Sequence, residues 1–79
     1  MHPPDDDWLA ERSRVLGDRI RDHRKRLGYT QEQVYLDAGI SRDVLQRIEA
    51  GRHNPTLHTL LRISHVLDVP LADLVNDMR

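Results

Sequence analysis

The chain has 79 residues, 12 Lys and Arg against 13 Asp and Glu, and 38% hydrophobic positions. That suits one small domain with a single core, and argues against a disordered polyelectrolyte, a two-domain enzyme or a sensor with its own ligand domain. The absence of cysteine excludes disulfides, thiolate zinc sites and iron–sulfur clusters. No apolar run approaches a membrane span, and the acidic start Met1-His2-Pro3-Pro4-Asp5-Asp6-Asp7 lacks the apolar stretch of a signal peptide, so a cytoplasmic location and no membrane partner are expected.

No run alternates apolar and polar positions in the way of a strand, whereas helical spacing recurs throughout. In the first segment Leu9, Leu16, Ile20 and Leu27 share one face, with Asp7 as a cap and Gly28 as a stop. Gly17 interrupts it at a cost of about 1 kcal/mol relative to Ala. The segment is therefore either one long helix or a short arm followed by a helix from about Arg14. Thr30-Gln31-Glu32-Gln33 has the spacing of a capping box, which opens a second helix from Gln31 to Ala38, stopped at Gly39. Ser41 caps a third helix, Arg42 to Ala50, with Gly51 as its stop.

Arg52-His53-Asn54-Pro55 forms a loop, because Pro55 disfavours a helical backbone at Asn54. Thr56 caps a fourth helix whose apolar stripe is Leu57, Leu60, Leu61, Ser64 and Leu67. Asp68-Val69-Pro70 breaks it, and Pro70 suits the first turn of a fifth helix with Leu71, Leu74 and Val75 on its apolar face. The predicted fold class is all-α: five helices joined by short links.

The most informative unit is residues 30–50. Two short helices joined through Ala38-Gly39-Ile40-Ser41 must cross steeply, which is helix-turn-helix geometry. With Ile40, Leu45 and Ile48 turned to the core, Arg42, Asp43, Gln46 and Arg47 fall on the outer face. Arg can donate to guanine O6 and N7, Gln can pair with adenine, and Asp can accept from cytosine N4. The same side chains would also make an ordinary solvated surface. Residues 8–53 carry ten Lys or Arg against seven Asp or Glu, a mildly basic stretch between acidic ends. That is weaker than the basic stripe of a strong electrostatic binder.

Leu16-Gly17-x-Arg19-Ile20-Arg21-x-x-Arg24-x-x-Leu27-Gly28-Tyr29-Thr30-Gln31-Glu32 resembles the opening of the Cro/C1-type (XRE-type) helix-turn-helix family. Ala38-Gly39-Ile40-Ser41 through Arg47-Ile48-Glu49-Ala50-Gly51 resembles its recognition helix, and Asn54-Pro55-Thr56-Leu57-x-Thr59-Leu60-x-x-Ile63 its fourth helix. The resemblance spans residues 14–76, leaving 1–13 as an N-terminal arm or helix extension and 77–79 as a short tail. It implies a five-helix, lambda-repressor-like DNA-binding domain. It also implies base contacts from Arg42, Asp43, Gln46 and Arg47, and phosphate contacts from Gln31, Ser41, Arg52, His53 and Asn54. Arg24 would pair with Glu49 in a structural role.

Two departures from the family pattern stand out: one at Tyr35 and the Leu36 that follows it, the other the acidic global balance, in which Asp43 near the groove would repel phosphate unless it meets an amino donor or pairs with a neighbouring Arg. Tyr35 occupies a position commonly held by Ala, so it must point outward or the helix crossing must open; its hydroxyl could reach a phosphate, or the ring could serve packing. Leu36 replaces a usual polar residue and would leave an exposed apolar spot. Family members usually dimerise, with recognition helices about 34 Å apart on a palindrome. Val69, Leu71, Leu74, Val75 and Met78 are candidates for that interface, although Leu71 and Leu74 also suit the monomer core, and Trp8 is a second candidate.

The expectation is a homodimeric bacterial or phage transcription regulator, a repressor or controller, that binds an inverted repeat in double-stranded DNA without a cofactor or small-molecule ligand. The alternative is an antitoxin-like or other protein-interaction module on the same fold. Catalysis is not expected. His58 and His65 lack a third metal ligand, His23 and His53 have no adjacent nucleophile, and there is no Gly-rich phosphate loop.

Overall fold

The computed structural model describes residues 6–52 and 54–78. It contains five helices: α1 (Asp7–Arg26), α2 (Gln31–Ala38), α3 (Arg42–Glu49), α4 (Leu57–Leu67) and α5 (Leu71–Val75). No strand occurs among the described residues. No helix there is long and apolar enough to cross a membrane.

α1 is a single helix of 20 residues, so the arm-plus-helix alternative is set aside for residues from Asp7 onward. Asp7 is its first helical residue rather than its cap; the capping position is Asp6, whose side chain makes no capping bond. Asp7 in the first turn and His23, Arg24, Lys25 and Arg26 in the last both complement the helix dipole. At the other end Gly28 takes a φ of 74°.

The boundaries of α2 and α3 follow from their caps. Thr30 Oγ1 accepts the Gln33 N–H at 3.1 Å, while the Thr30 N–H donates to Gln33 Oε1 at 2.7 Å, which completes the capping box. Gly39, at φ 69°, turns the chain left-handed after α2. Two residues later Ser41 Oγ accepts the Val44 N–H at 3.0 Å and starts α3. α3 ends one residue before expectation, with Ala50 as its C-cap. Pro70 likewise lies one residue outside α5, at the N-cap position.

The core is built from Leu16 and Ile20 of α1, Val34 and Ala38 of α2, Leu45 and Ile48 of α3, Ile63 and Leu67 of α4, and Leu74 of α5. α1 packs on α3 and α5, α2 on α3 and α4, and α4 on α5. Four expected core positions are corrected. Leu9 and Leu27 do lie on the Leu16–Ile20 face, but nearer the two ends of α1, and they are 46% and 45% exposed. In α4 the buried face is Ile63, Ser64 and Leu67 with Leu60 half-buried, whereas Leu57 and Leu61 are exposed. At 100° per residue, Leu57 and Leu61 sit to one side of the direction shared by Leu60, Ile63 and Leu67.

Gly17 has a role that helix propensity hides. A Cβ there would lie 2.2 Å from the Ile48 carbonyl oxygen and 2.8 Å from that of Glu49. The glycine lets the middle of α1 press directly on the C-terminal end of α3. Gly51 serves the same contact from the other side: it adopts φ 73°, and a Cβ there would come within 2.8 Å of Arg14 Cα.

Candidate nucleic-acid interface

The body holds α3 by its inner side. Leu45 is fully buried and Ile48 nearly so, Val44 is half-buried, and Glu49 is buried at the C-terminal end. The side chains at Ser41, Arg42, Asp43, Gln46 and Arg47 are all exposed. Helical geometry puts Asp43, Gln46 and Arg47 opposite the buried face, with Arg42 at its edge. An eight-residue helix would not persist in water unaided, so its placement depends on these buried anchors.

A polar cluster fixes the rest. Arg24 Nε donates to Glu49 Oε2 at 2.8 Å and Arg24 Nη2 to Glu49 Oε1 at 2.9 Å. This two-point pairing of a guanidinium fork with a carboxylate is buried, with side-chain exposures of 11% and 3%. Arg24 Nη1 also donates to the Tyr29 carbonyl at 2.9 Å, holding the turn that leads into α2. Gln31 completes the cluster: its Nε2 donates to Glu49 Oε1 at 3.2 Å. The first residue of α2 is thereby braced against the last residue of α3, and α1 is tied to both.

The outer face carries its own pair. Arg47 Nε lies 3.1 Å from Asp43 Oδ2, an i,i+4 ion pair in the open. Ser41 uses a lone pair to cap α3, which leaves its O–H available as a donor. Arg52 and Asn54 are exposed in the loop after α3, and the Arg52 N–H donates to the Arg47 carbonyl at 2.8 Å. His53 lies outside the described residues.

Tyr35 is half-buried and packs against the hydrophobic core, while Leu36 beside it is 64% exposed. Among the expected dimer residues, Leu74 is fully buried in the monomer and is withdrawn as a surface contact. Val69, Leu71, Val75 and Met78 are partly buried, and Trp8 is exposed on the first turn of α1. Sequence reasoning missed Leu61, which lines a cleft between α4 and α5 together with Ser64, His65, Asp68, Val69, Pro70 and Leu71. Its signal was the position of Ile63, which rotates the buried stripe of α4 away from Leu61. It also missed Arg19, whose Nη1 donates to the carbonyls of Leu74 and Asn76 and anchors the end of α5 to α1. No group of three potential metal ligands occurs among the described residues.

The model of the HTH_3 family, described as helix-turn-helix, matches residues 20–74 of this chain. The chain belongs to this helix-turn-helix family. It is 39% identical over 61 residues to the HTH-type transcriptional regulator SlrR of Bacillus subtilis, a match covering 76% of this chain and 40% of SlrR. It is 34% identical over 64 residues to SinR of Bacillus licheniformis, covering 80% of this chain and 58% of SinR. The chain thus spans about half the length of these two relatives. Among solved structures it is similar to the restriction-modification controller protein C.AhdI of Aeromonas hydrophila, with a TM-score of 0.76 and 27% identity over 78% of this chain and 94% of that one.

Proposed function

We propose that this chain regulates transcription by binding a short inverted repeat in double-stranded DNA as a homodimer, with α3 of each copy in the major groove. The observation that carries this is the two-sided character of α3. Leu45, Ile48 and Glu49 lock its inner side, while Arg42, Asp43, Gln46 and Arg47 stand together on an exposed outer side. Such a helix has base-reading groups and the rigidity to present them in register.

The surrounding groups suit phosphate. The N-terminus of α2 offers backbone N–H groups at Gln31, and its dipole favours an anion there. Ser41, Arg52 and Asn54 flank α3 in sequence and are exposed. His53 joins them by sequence position. For the dimer contact, the cleft between α4 and α5 and the partly exposed Val69, Leu71, Val75 and Met78 are the preferred surface, with Leu61 added. The similarity to a controller protein supports a repressor or controller role.

The test is selection of bound sequences from random duplexes with the purified protein, followed by mobility shifts on the recovered site. The expected result is a short motif repeated in inverted orientation, with half-site centres about one DNA turn apart. Arg42→Ala should relax discrimination at one base pair per half-site and cost about 1–3 kcal/mol. Arg52→Ala should weaken all sequences evenly. Recovery of no motif, or wild-type affinity in both variants, would remove this surface from DNA binding.

A further inference from the structure

Asp43 sits near the centre of the outer face of α3, and it is the one acidic side chain among the four on that face. An isolated carboxylate there would repel the phosphates on either side of a groove. It is not isolated. Arg47, one turn later, holds its Nε 3.1 Å from Asp43 Oδ2, and both side chains are largely in solvent, at 59% and 70% exposure. No buried contact forces this arrangement; it is a property of the face itself.

Resting on the groove-binding reading above, we infer that Asp43 is a positioning residue, which orients the Arg47 guanidinium so that Arg47 selects a guanine. The chemistry follows from the shape of the guanidinium. Its donors lie in one plane in a fixed fork. With Asp43 on the Nε side, the Nη1 and Nη2 groups form the edge left open to an acceptor pair. Guanine offers such a pair in the major groove, O6 and N7, whereas adenine places a donor at the position of O6. The carboxylate also biases the long Arg47 side chain away from the phosphates, where it would bind every sequence alike. The pair is neutral as a unit, so it contributes little to non-specific attraction. Asp43 therefore lowers affinity for DNA in general and raises the contrast between sites.

This role differs from a direct base contact by Asp43, and the two predict different patterns. A carboxylate reading its own cytosine would govern a base pair separate from the one governed by Arg47. A carboxylate acting through Arg47 governs the same base pair.

The experiment measures wild type, Asp43→Asn, Arg47→Ala and the double variant, each against the selected duplex, every single-base-pair change in one half-site, and an unrelated duplex. Circular dichroism melting of each variant checks that the fold is kept, as the exposure of both side chains leads one to expect. Asp43→Asn is expected to bind the unrelated duplex about threefold to tenfold more tightly and to lose about tenfold in discrimination. The loss should fall at the guanine whose recognition Arg47→Ala also abolishes. At that base pair the double variant should discriminate no worse than Arg47→Ala alone. Asp43→Glu, which keeps the charge one methylene further out, should restore part of the contrast.

If Asp43→Asn keeps wild-type discrimination, or loses it at a base pair that Arg47→Ala leaves intact, the positioning role is overturned while groove binding stands. If the wild-type protein itself shows no preference among duplexes, the groove-binding reading falls and this inference falls with it.

Discussion

Gly17 sets the distance between α1 and α3, because any larger residue would drive its Cβ into two carbonyl oxygens of α3. Those oxygens are backbone and cannot rotate aside. Gly17→Ala should therefore destabilise the fold by about 1–3 kcal/mol in urea unfolding, despite a gain of about 1 kcal/mol in helix propensity. A gain in stability would show that the contact is looser than described. The buried Arg24–Glu49 pair makes a second residue-scale prediction. Glu49→Ala leaves the Arg24 guanidinium without its carboxylate and removes the acceptor of the Gln31 amide. A cost of about 3–5 kcal/mol is expected. Replacing both partners, Arg24→Met with Glu49→Leu, should cost clearly less in the same measurement, because no charge is then stranded.

At the scale of elements, caps decide where helices begin, and that is why α2 and α3 were legible in the sequence. Thr30 with Gln33, and Ser41 before an apolar spacing, state a helix start in purely local terms. Ser41→Ala should lower stability by about 1 kcal/mol in thermal unfolding, and an unchanged melting temperature would contradict the capping role. What depends on neighbours was less legible. Leu57 and Leu61 are apolar and helically spaced, yet the side of α4 that meets the core is set by α2 and α5. Gly17 reads as a cost until α3 is placed against it. The outer face of α3 was legible as a set of residue types at helical spacing. The ion pair between Asp43 and Arg47 was open to sequence reasoning as an i,i+4 spacing, but its formation depends on rotamers that spacing does not fix. The pairing of Arg24 with Glu49 joins residues 25 apart and was indicated by family resemblance, not by any local pattern; no local pattern points to the bracing of Gln31 against Glu49 either.

At the scale of the whole molecule, a formal net charge of −1 is a poor match for a polyanion, so recognition must rest on where charge lies. The acidic residues Asp5, Asp6 and Asp7 precede or open α1, and Asp68, Asp73 and Asp77 lie at or after the end of α4. Arg42, Arg47 and Arg52 instead cluster along α3 and the loop that follows it. Affinity for a duplex should therefore be modest for unrelated sequences and fall steeply with salt. In the proposed binding mode, the same body that buries Leu45 and Ile48 would keep α3 from shifting as it docks, so that little ordering cost is left to binding.

Whether the outer face of α3 meets the duplex can be read from backbone amide chemical shifts, followed residue by residue during titration with the selected duplex. The predicted result is that the largest changes fall on residues 41–47 and on Gln31 and Arg52, and weaken together as salt is raised. Changes confined to α4, α5 or the first turns of α1, with α3 silent, would contradict it.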